Sequence, residues 1–158
     1  MAAFPTYDLA LTFDANRLVC DVAIADGDLV LAVTPVTAML VSVFSDRRAA
    51  RDDKLPAGAS PLGSPDTLDE RRGWVGDCLD RAERLIGSRF WQLGRDHDDD
   101  TTLIKARAFA TECMAWAPDE YGITPDIDID WVRRGPSAAL GIRIAVDGRS
   151  VSLIRKVS

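Results

Sequence analysis

The feature that most restricts this fold lies at the end of the chain. Ile127, Ile129 and Trp131 alternate with Asp126, Asp128 and Asp130, and Leu140, Ile142, Ile144 and Val146 then alternate with Gly141, Arg143 and Ala145. Asp147-Gly148 follows, a dipeptide that readily supplies both left-handed residues of a two-residue hairpin, and leads into Val151 and Leu153. Successive side chains of a strand point to opposite faces, so this block predicts a three-stranded antiparallel sheet that is apolar on one face only. Such a sheet has to be covered, and the preceding sequence supplies helices for it.

The opening segment has the same two-residue period. Leu9, Leu11 and Phe13 share one face while Asp8 and Thr12 take the other, Asp14-Ala15-Asn16 reads as a turn, and Leu18, Cys20, Val22 and Ile24 alternate again. Asp26-Gly27 is a second hairpin signal and Leu29 to Val33 a third short strand, which together predict a small antiparallel meander. No internal repeat is read in the chain.

At Thr34-Pro35 the period changes to that of a helix, with Thr34 as cap, Pro35 in the first turn, and Val36, Met39, Leu40, Val43 and Phe44 as an apolar stripe. Arg47 and Arg48 are expected in its last turn, at the negative end of the dipole. A short helix is expected over 76–86, with Cys78, Leu79, Ala82, Leu85 and Ile86 inward and Gly87 as its stop, followed by an apolar cluster of Phe90, Trp91 and Leu93. A second long helix runs from about Thr101 to Trp116, with Leu103, Ala106, Ala110, Cys113 and Met114 buried, Asp98 to Asp100 at its positive end and Pro118 beyond its finish. The class is α+β: N-terminal antiparallel strands, two main helices plus a short one, and a C-terminal three-stranded antiparallel sheet in one domain over 1–158. Between Arg51 and Pro65, three prolines and two glycines without periodicity predict a long mobile surface loop.

Composition narrows the function classes. At 158 residues the chain can bury roughly 70% of its unfolded surface, enough for a core without staples. A formal net charge of -6 repels phosphate backbones and argues against a general nucleic-acid binder. No stretch reaches the roughly 20 apolar residues needed to cross a bilayer, and the first 14 residues lack the basic-then-apolar order of a signal peptide. Cys20, Cys78 and Cys113 are an odd number without CxxC spacing and have apolar neighbours, so three buried thiols made in a reducing cytosol are expected.

Motifs for chemistry fail on counting. If Asp96, Asp98 and Asp100 opened a calcium loop, its glycine would fall on Thr101 and its bidentate glutamate on Arg107. From Asp126, Asp128 and Asp130 those places hold Trp131 and Ser137. The first run suits a helix N-terminus. The second suits the solvated face of a strand, paired with Arg143 or Arg149 across the sheet. His97 is the sole histidine and lies in a polar turn, so it reads as a solvated loop residue rather than a catalytic base. Glu83 and Glu112 read as ordinary exposed helix residues, and the glycines lack Walker or dinucleotide spacing. No catalytic residue, metal site or cofactor is expected.

One grouping is left over. Arg47, Arg48 and Arg51 precede the long loop, and Arg71, Arg72 and Trp74 close it. Arginine and tryptophan are enriched at interface hot spots, which makes Arg47, Arg48, Arg71, Arg72 and Trp74 the candidate partner-binding residues. The bland alternative has the arginines neutralising Asp46, Asp52, Asp53, Asp69 and Glu70 on a solvated surface, with Trp74 in the core.

These residues also carry a resemblance. Phe44-Ser45-Asp46-Arg47-Arg48-Ala49, Asp69-Glu70-Arg71-Arg72-Gly73-Trp74-Val75-Gly76-Asp77 and Ile86-Gly87-Ser88-Arg89-Phe90-Trp91-Gln92-Leu93 follow one another as in the baseplate proteins of Mu-like contractile-tailed bacteriophages, the "gene product forty-six" family. The resemblance runs from about Asp8 to Leu153. It implies a non-enzymatic subunit of a virion tail baseplate whose partners are other baseplate and tail proteins, the tail sheath among the candidates, with no nucleic acid or membrane partner. It further implies kinship with the sheath-initiating wedge subunits typified by the T4 "gene product twenty-five" family. Those have a Glu-Pro-Arg motif and offer terminal strands to the sheath. No Glu-Pro-Arg occurs here; Asp46-Arg47-Arg48 or Glu70-Arg71-Arg72 are the segments that could stand in its place. The alternatives are a lysozyme-like glycosidase, needing paired carboxylates about 5 to 9.5 Å apart, and a free-standing adaptor.

Overall fold

A computed structural model describes residues 8–14, 17, 19–53, 55, 71–79 and 84–157. Its framework is the expected C-terminal sheet: β7 (Asp126–Arg133), β8 (Ala139–Val146) and β9 (Arg149–Lys156), antiparallel in that order. Asp147 and Gly148 have φ of 50° and 70°, the left-handed pair that turns β8 into β9. Ile129, Leu140, Ile142, Ile144, Val146 and Val151 are buried on the inner face. On the outer face Arg143 reaches Asp126 at 3.7 Å, an exposed pair of small energetic weight.

The inner face is covered by α1 (Val36–Phe44) and α2 (Asp100–Cys113), with a short α3 (Trp116–Tyr121) and two 3-10 helices, Val75–Leu79 and Phe90–Arg95. α2 begins as expected: the Asp99 carboxylate accepts from the Thr102 N–H at 2.8 Å, which also holds Asp99 below the usual carboxylate range. Ala106, Phe109, Ala110, Cys113 and Met114 meet Met39, Val43, Phe90 and Leu93 in the core. No helix among the described residues is long and apolar enough to cross a membrane, and no group of three or more potential metal ligands occurs among them.

Several expectations are corrected. α1 stops at Phe44, so Arg47 and Arg48 lie past it in extended chain, and its cap position is Pro35 without a side-chain bond from Thr34. Its buried side chains include Thr37 and Ser42, while Phe44 is exposed. The helix expected over 76–86 is the 3-10 turn Val75–Leu79, and of the three cysteines only Cys113 is buried. The loop expected over 51–65 lies outside the described residues except for 51–53 and 55.

The N-terminal strands hold the largest difference. Three chain segments form six short strands: β1 (Asp8–Leu9), β2 (Leu11–Asp14), β3 (Val19–Val22), β4 (Ile24–Ala25), β5 (Asp28–Leu29) and β6 (Leu31–Ala32). They pair β1 with β6, β2 with β3 and β4 with β5, so each segment pairs with both others instead of running as a meander. At the centre Ala10 N–H donates to Val30 O (2.8 Å), Val30 N–H to Ala23 O (3.0 Å) and Ala23 N–H to Ala10 O (2.7 Å), a closed ring of three bonds. Asp8-Leu9-Ala10-Leu11, Asp21-Val22-Ala23-Ile24 and Asp28-Leu29-Val30-Leu31 occupy equivalent places in this ring. Each aspartate accepts the N–H of the residue after it, at 2.7 to 2.8 Å. The chain does therefore contain an internal repeat, and it builds a pseudo-threefold module.

Candidate partner-binding surface

The arginine region is organised by an extended segment, 45–50, clamped from two sides. Arg47 N–H donates to Ser88 O (2.9 Å) and Ser88 N–H to Ser45 O (2.8 Å), forming a short parallel bridge, and Ala49 N–H donates to Arg71 O (2.9 Å). The Trp91 indole N–H caps Arg47 O at 2.9 Å. Gly87, with φ of 97°, lets the two extended segments approach: a Cβ there would sit 2.6 Å from Ser45 O and 2.8 Å from Arg47 N.

This scaffold separates the five candidate residues into two groups. Arg71 is 7% exposed, and its guanidinium donates to Ala50 O (2.6 Å) and Arg51 O (3.1 Å). Arg47 donates to Leu85 O (2.9 Å) and lies 3.5 Å from Glu112. Both face inward and brace the backbone. Arg72 turns the other way because it and Gly73 both adopt left-handed backbone (φ 53° and 103°), which reverses the chain after Arg71. Its guanidinium pairs with Asp46 and stacks over the Trp91 ring, 4.6 Å from the centroid. Gly73 lies against Arg48, where a Cβ would be 2.8 Å from Arg48 Cβ. Trp74 is not in the core: it is 52% exposed and lies over Gly76, followed by Val75 at 81%. Arg155 of β9 completes the surface. Burial and the cation of Arg72 lower its pKa while Asp46 opposes them, which places its charge among theirs. Arg72 thus pairs with Asp46, with the charge of Arg155 within its field, beside exposed aromatic and aliphatic surface.

Beneath them lies a polar network that sequence reasoning missed. Arg89 donates to Glu112 (2.8 Å) and to both oxygens of Asp53 (3.0 and 3.2 Å), with its guanidinium over the Phe109 ring. Asp53 also accepts from Gln92 (2.9 Å) and the Ala50 N–H (2.9 Å). Burial pushes the Asp53 carboxyl up, but these hydrogen bonds and the Arg89 charge outweigh it and hold the group below its ordinary range. Arg89 is likewise disfavoured by burial, yet its two carboxylates raise it. Glu112, expected as a solvated helix residue, is part of this brace. The only advance signal is its place beside Cys113 and three residues after Phe109, at the edge of the buried face.

The arrangement is poor chemistry for hydrolysis. A glycosidase acid must be kept protonated near neutrality, whereas Asp53 is held ionised and shares Arg89 with Glu112. The edges of the C-terminal sheet are guarded as well. Asp130 accepts the Trp131 N–H at 2.7 Å on β7, and β9 runs against α1 and the second 3-10 helix.

The family model described as "Phage protein GP46" matches residues 35–152. The chain is also 37% identical over 109 residues to "Baseplate protein gp46" of Escherichia phage Mu, taking in 69% of this chain and 66% of that protein, just under two thirds of its length.

Proposed function

The chain belongs to the GP46 family of phage proteins, and on that premise we propose that it is a structural, non-catalytic subunit of a phage tail baseplate, joined to other tail proteins by surface contacts. The observation carrying this reading is the split among the arginines. Arg47, Arg71 and Arg89 are consumed in bracing the segment 45–50 and its surroundings, while Arg72 and the exposed Trp74 stand on the adjoining turn, with Arg48 packed against Gly73 beside them. A rigid support beneath exposed arginine and tryptophan suits a docking surface for a partner that brings carboxylates and an apolar contact. A place in the wedge, near the start of the sheath, is the finer assignment within this reading. Within it, Asp46-Arg47-Arg48 or Glu70-Arg71-Arg72 would be the segment to stand in place of the Glu-Pro-Arg of related wedge subunits, which this chain lacks.

The test is co-expression of the full chain with the other baseplate proteins of its phage. An Arg48→Glu/Trp74→Ala variant should retain its circular dichroism spectrum yet be lost from purified baseplates. Normal incorporation of a folded variant would refute the assignment of this surface.

A further inference from the structure

Arg155 lies on the covered face of the C-terminal sheet. In the ladder of β8 and β9 it sits directly opposite Leu140, which is fully buried, and opposed residues share a face. Val151 and Val157, on the same face of the strand, are buried as well, and the Arg155 side chain is half-buried. β9 packs here against α1 and the second 3-10 helix. Asp46, just past α1, and Arg72, stacked on Trp91 of that 3-10 helix, are the charges that act on Arg155. Its guanidinium nevertheless has no hydrogen bond, ion pair or ring contact among the described residues. The arginines around it are served. Arg71 has two backbone carbonyls, Arg47 has Leu85 O and Glu112, and Arg89 has Asp53 and Glu112. Arg48 is also half-buried without a bond, but it stands on the extended segment and not on the core face of the sheet. Burial works against the Arg155 charge, the Arg72 cation adds to that, and only Asp46 opposes them. A guanidinium stays charged at any accessible pH, so its donors are desolvated without an acceptor, which destabilises the free chain.

We propose that Arg155 is the anchor of the docking surface, a guanidinium fork whose acceptor is a carboxylate of a partner protein. The inference rests on the reading of that surface given above, and names the residue and the chemical group that meet there. Asp46 is the one carboxylate acting on Arg155, and Arg72 already holds it. A further carboxylate would pair the Arg155 fork through two parallel bonds and offset the repulsion between the two arginines. Because Arg155 has already lost part of its hydration in the free chain, closing a partner over it removes less water than at a fully exposed arginine. Trp74 and Val75, exposed on the turn that follows Arg72, suit an apolar residue beside the acid. A polyanion such as nucleic acid is the poorer fit, since the chain's net charge of -6 repels it at longer range. A single acidic side chain or a terminal carboxylate on a protein meets no such barrier.

Two variants of the full chain test this, each measured alone and in co-expression with the other baseplate proteins of its phage. Arg155→Met keeps the length of the side chain and removes its charge, and Arg155→Lys keeps the charge and removes the fork. Thermal unfolding of free Arg155→Met should give a Tm within about 1 °C of wild type or above it, because an unpaired, partly desolvated cation has been replaced by an apolar chain. The same variant should be reduced about tenfold in purified baseplates. Arg155→Lys should fall between the two, since a point charge still attracts a carboxylate but cannot grip it with two bonds. A Tm lowered by about 2 °C or more in Arg155→Met would make Arg155 an internal brace and overturn the inference. Normal incorporation of Arg155→Met would overturn it too, and so would a lysine variant no better incorporated than the methionine one, because charge would then not be what the partner reads. If Arg155→Met enters baseplates normally while Arg48→Glu/Trp74→Ala is lost from them, the anchor named here is wrong and the proposed function stands. If both enter normally, the two readings fail together.

Discussion

Replacing Arg89 with alanine gives the most quantitative test of the network under the arginine surface. The substitution removes bonds to Glu112 and to both oxygens of Asp53, with the stack over Phe109. Breaking a fully buried ion pair costs about 3 to 5 kcal/mol, because the remaining charge stays desolvated. Here the Arg89, Asp53 and Glu112 side chains are 21%, 20% and 31% exposed. Asp53 also keeps Gln92 and the Ala50 N–H, and Glu112 keeps Arg47. Solvent screening and these remaining partners reduce the expected loss to about 2 kcal/mol. In a domain of this size that lowers Tm by about 4 to 8 °C. Urea unfolding followed by tryptophan fluorescence measures it directly. The pH dependence supplies a second readout. Asp53 is depressed in the folded state, so its contribution is present above the unfolded carboxylate pKa and lost as pH falls through the folded value. Arg89 is raised, so its own contribution persists over the whole accessible range. The gap between wild type and variant should therefore be widest near neutrality and shrink below about pH 4, as the Asp53 carboxylate protonates. A gap under about 0.5 kcal/mol at pH 7, or one that grows on acidification, would refute the brace.

Three further outcomes are expected. Gly87→Ala should destabilise by more than about 3 kcal/mol in thermal unfolding, since its φ is 97° and the added carbon meets the Ser45 and Arg47 backbone; Gly135→Ala, at φ of 91° but in open space, should cost only about 1 kcal/mol. A thiol reagent at pH 8 should modify Cys20 and Cys78 in the native chain, while Cys113, whose thiol burial pushes up to about 12, reacts only on denaturation. Arg71→Ala should cost about 2 kcal/mol through the unpaired Ala50 and Arg51 carbonyls, whereas Arg72→Ala, removing an exposed pair, should cost less than about 1 kcal/mol by urea titration.

What the sequence could disclose followed the range of the forces involved. The C-terminal sheet and both Asp-Gly turns were legible because alternation and turn chemistry act within a few residues. The end of α1 was not, because Ser45 to Ala50 are drawn out of helix by bonds to Ser88 and Arg71, residues far along the chain. The same distance hid the Arg89 network, whose members come from the 51–53 turn, the second 3-10 helix and α2. The two exposed cysteines were misjudged because apolar neighbours in sequence do not fix which way a 3-10 turn or a short strand faces. The repeat was present in the letters but only four residues long. Its copies begin at Asp8, Asp21 and Asp28, an uneven spacing that no fixed period reveals.

That repeat also separates two events in time. The bonds that close the N-terminal module join residues no farther apart than Asp8 and Ala32, so all of them are available once Ala32 has left the ribosome. The arginine surface waits for Arg155, the last of its residues to be made. At about 5 to 20 residues per second that interval is roughly 6 to 25 s. A nascent chain thus carries a closed N-terminal module for many seconds before the segments that form the arginine surface have come together.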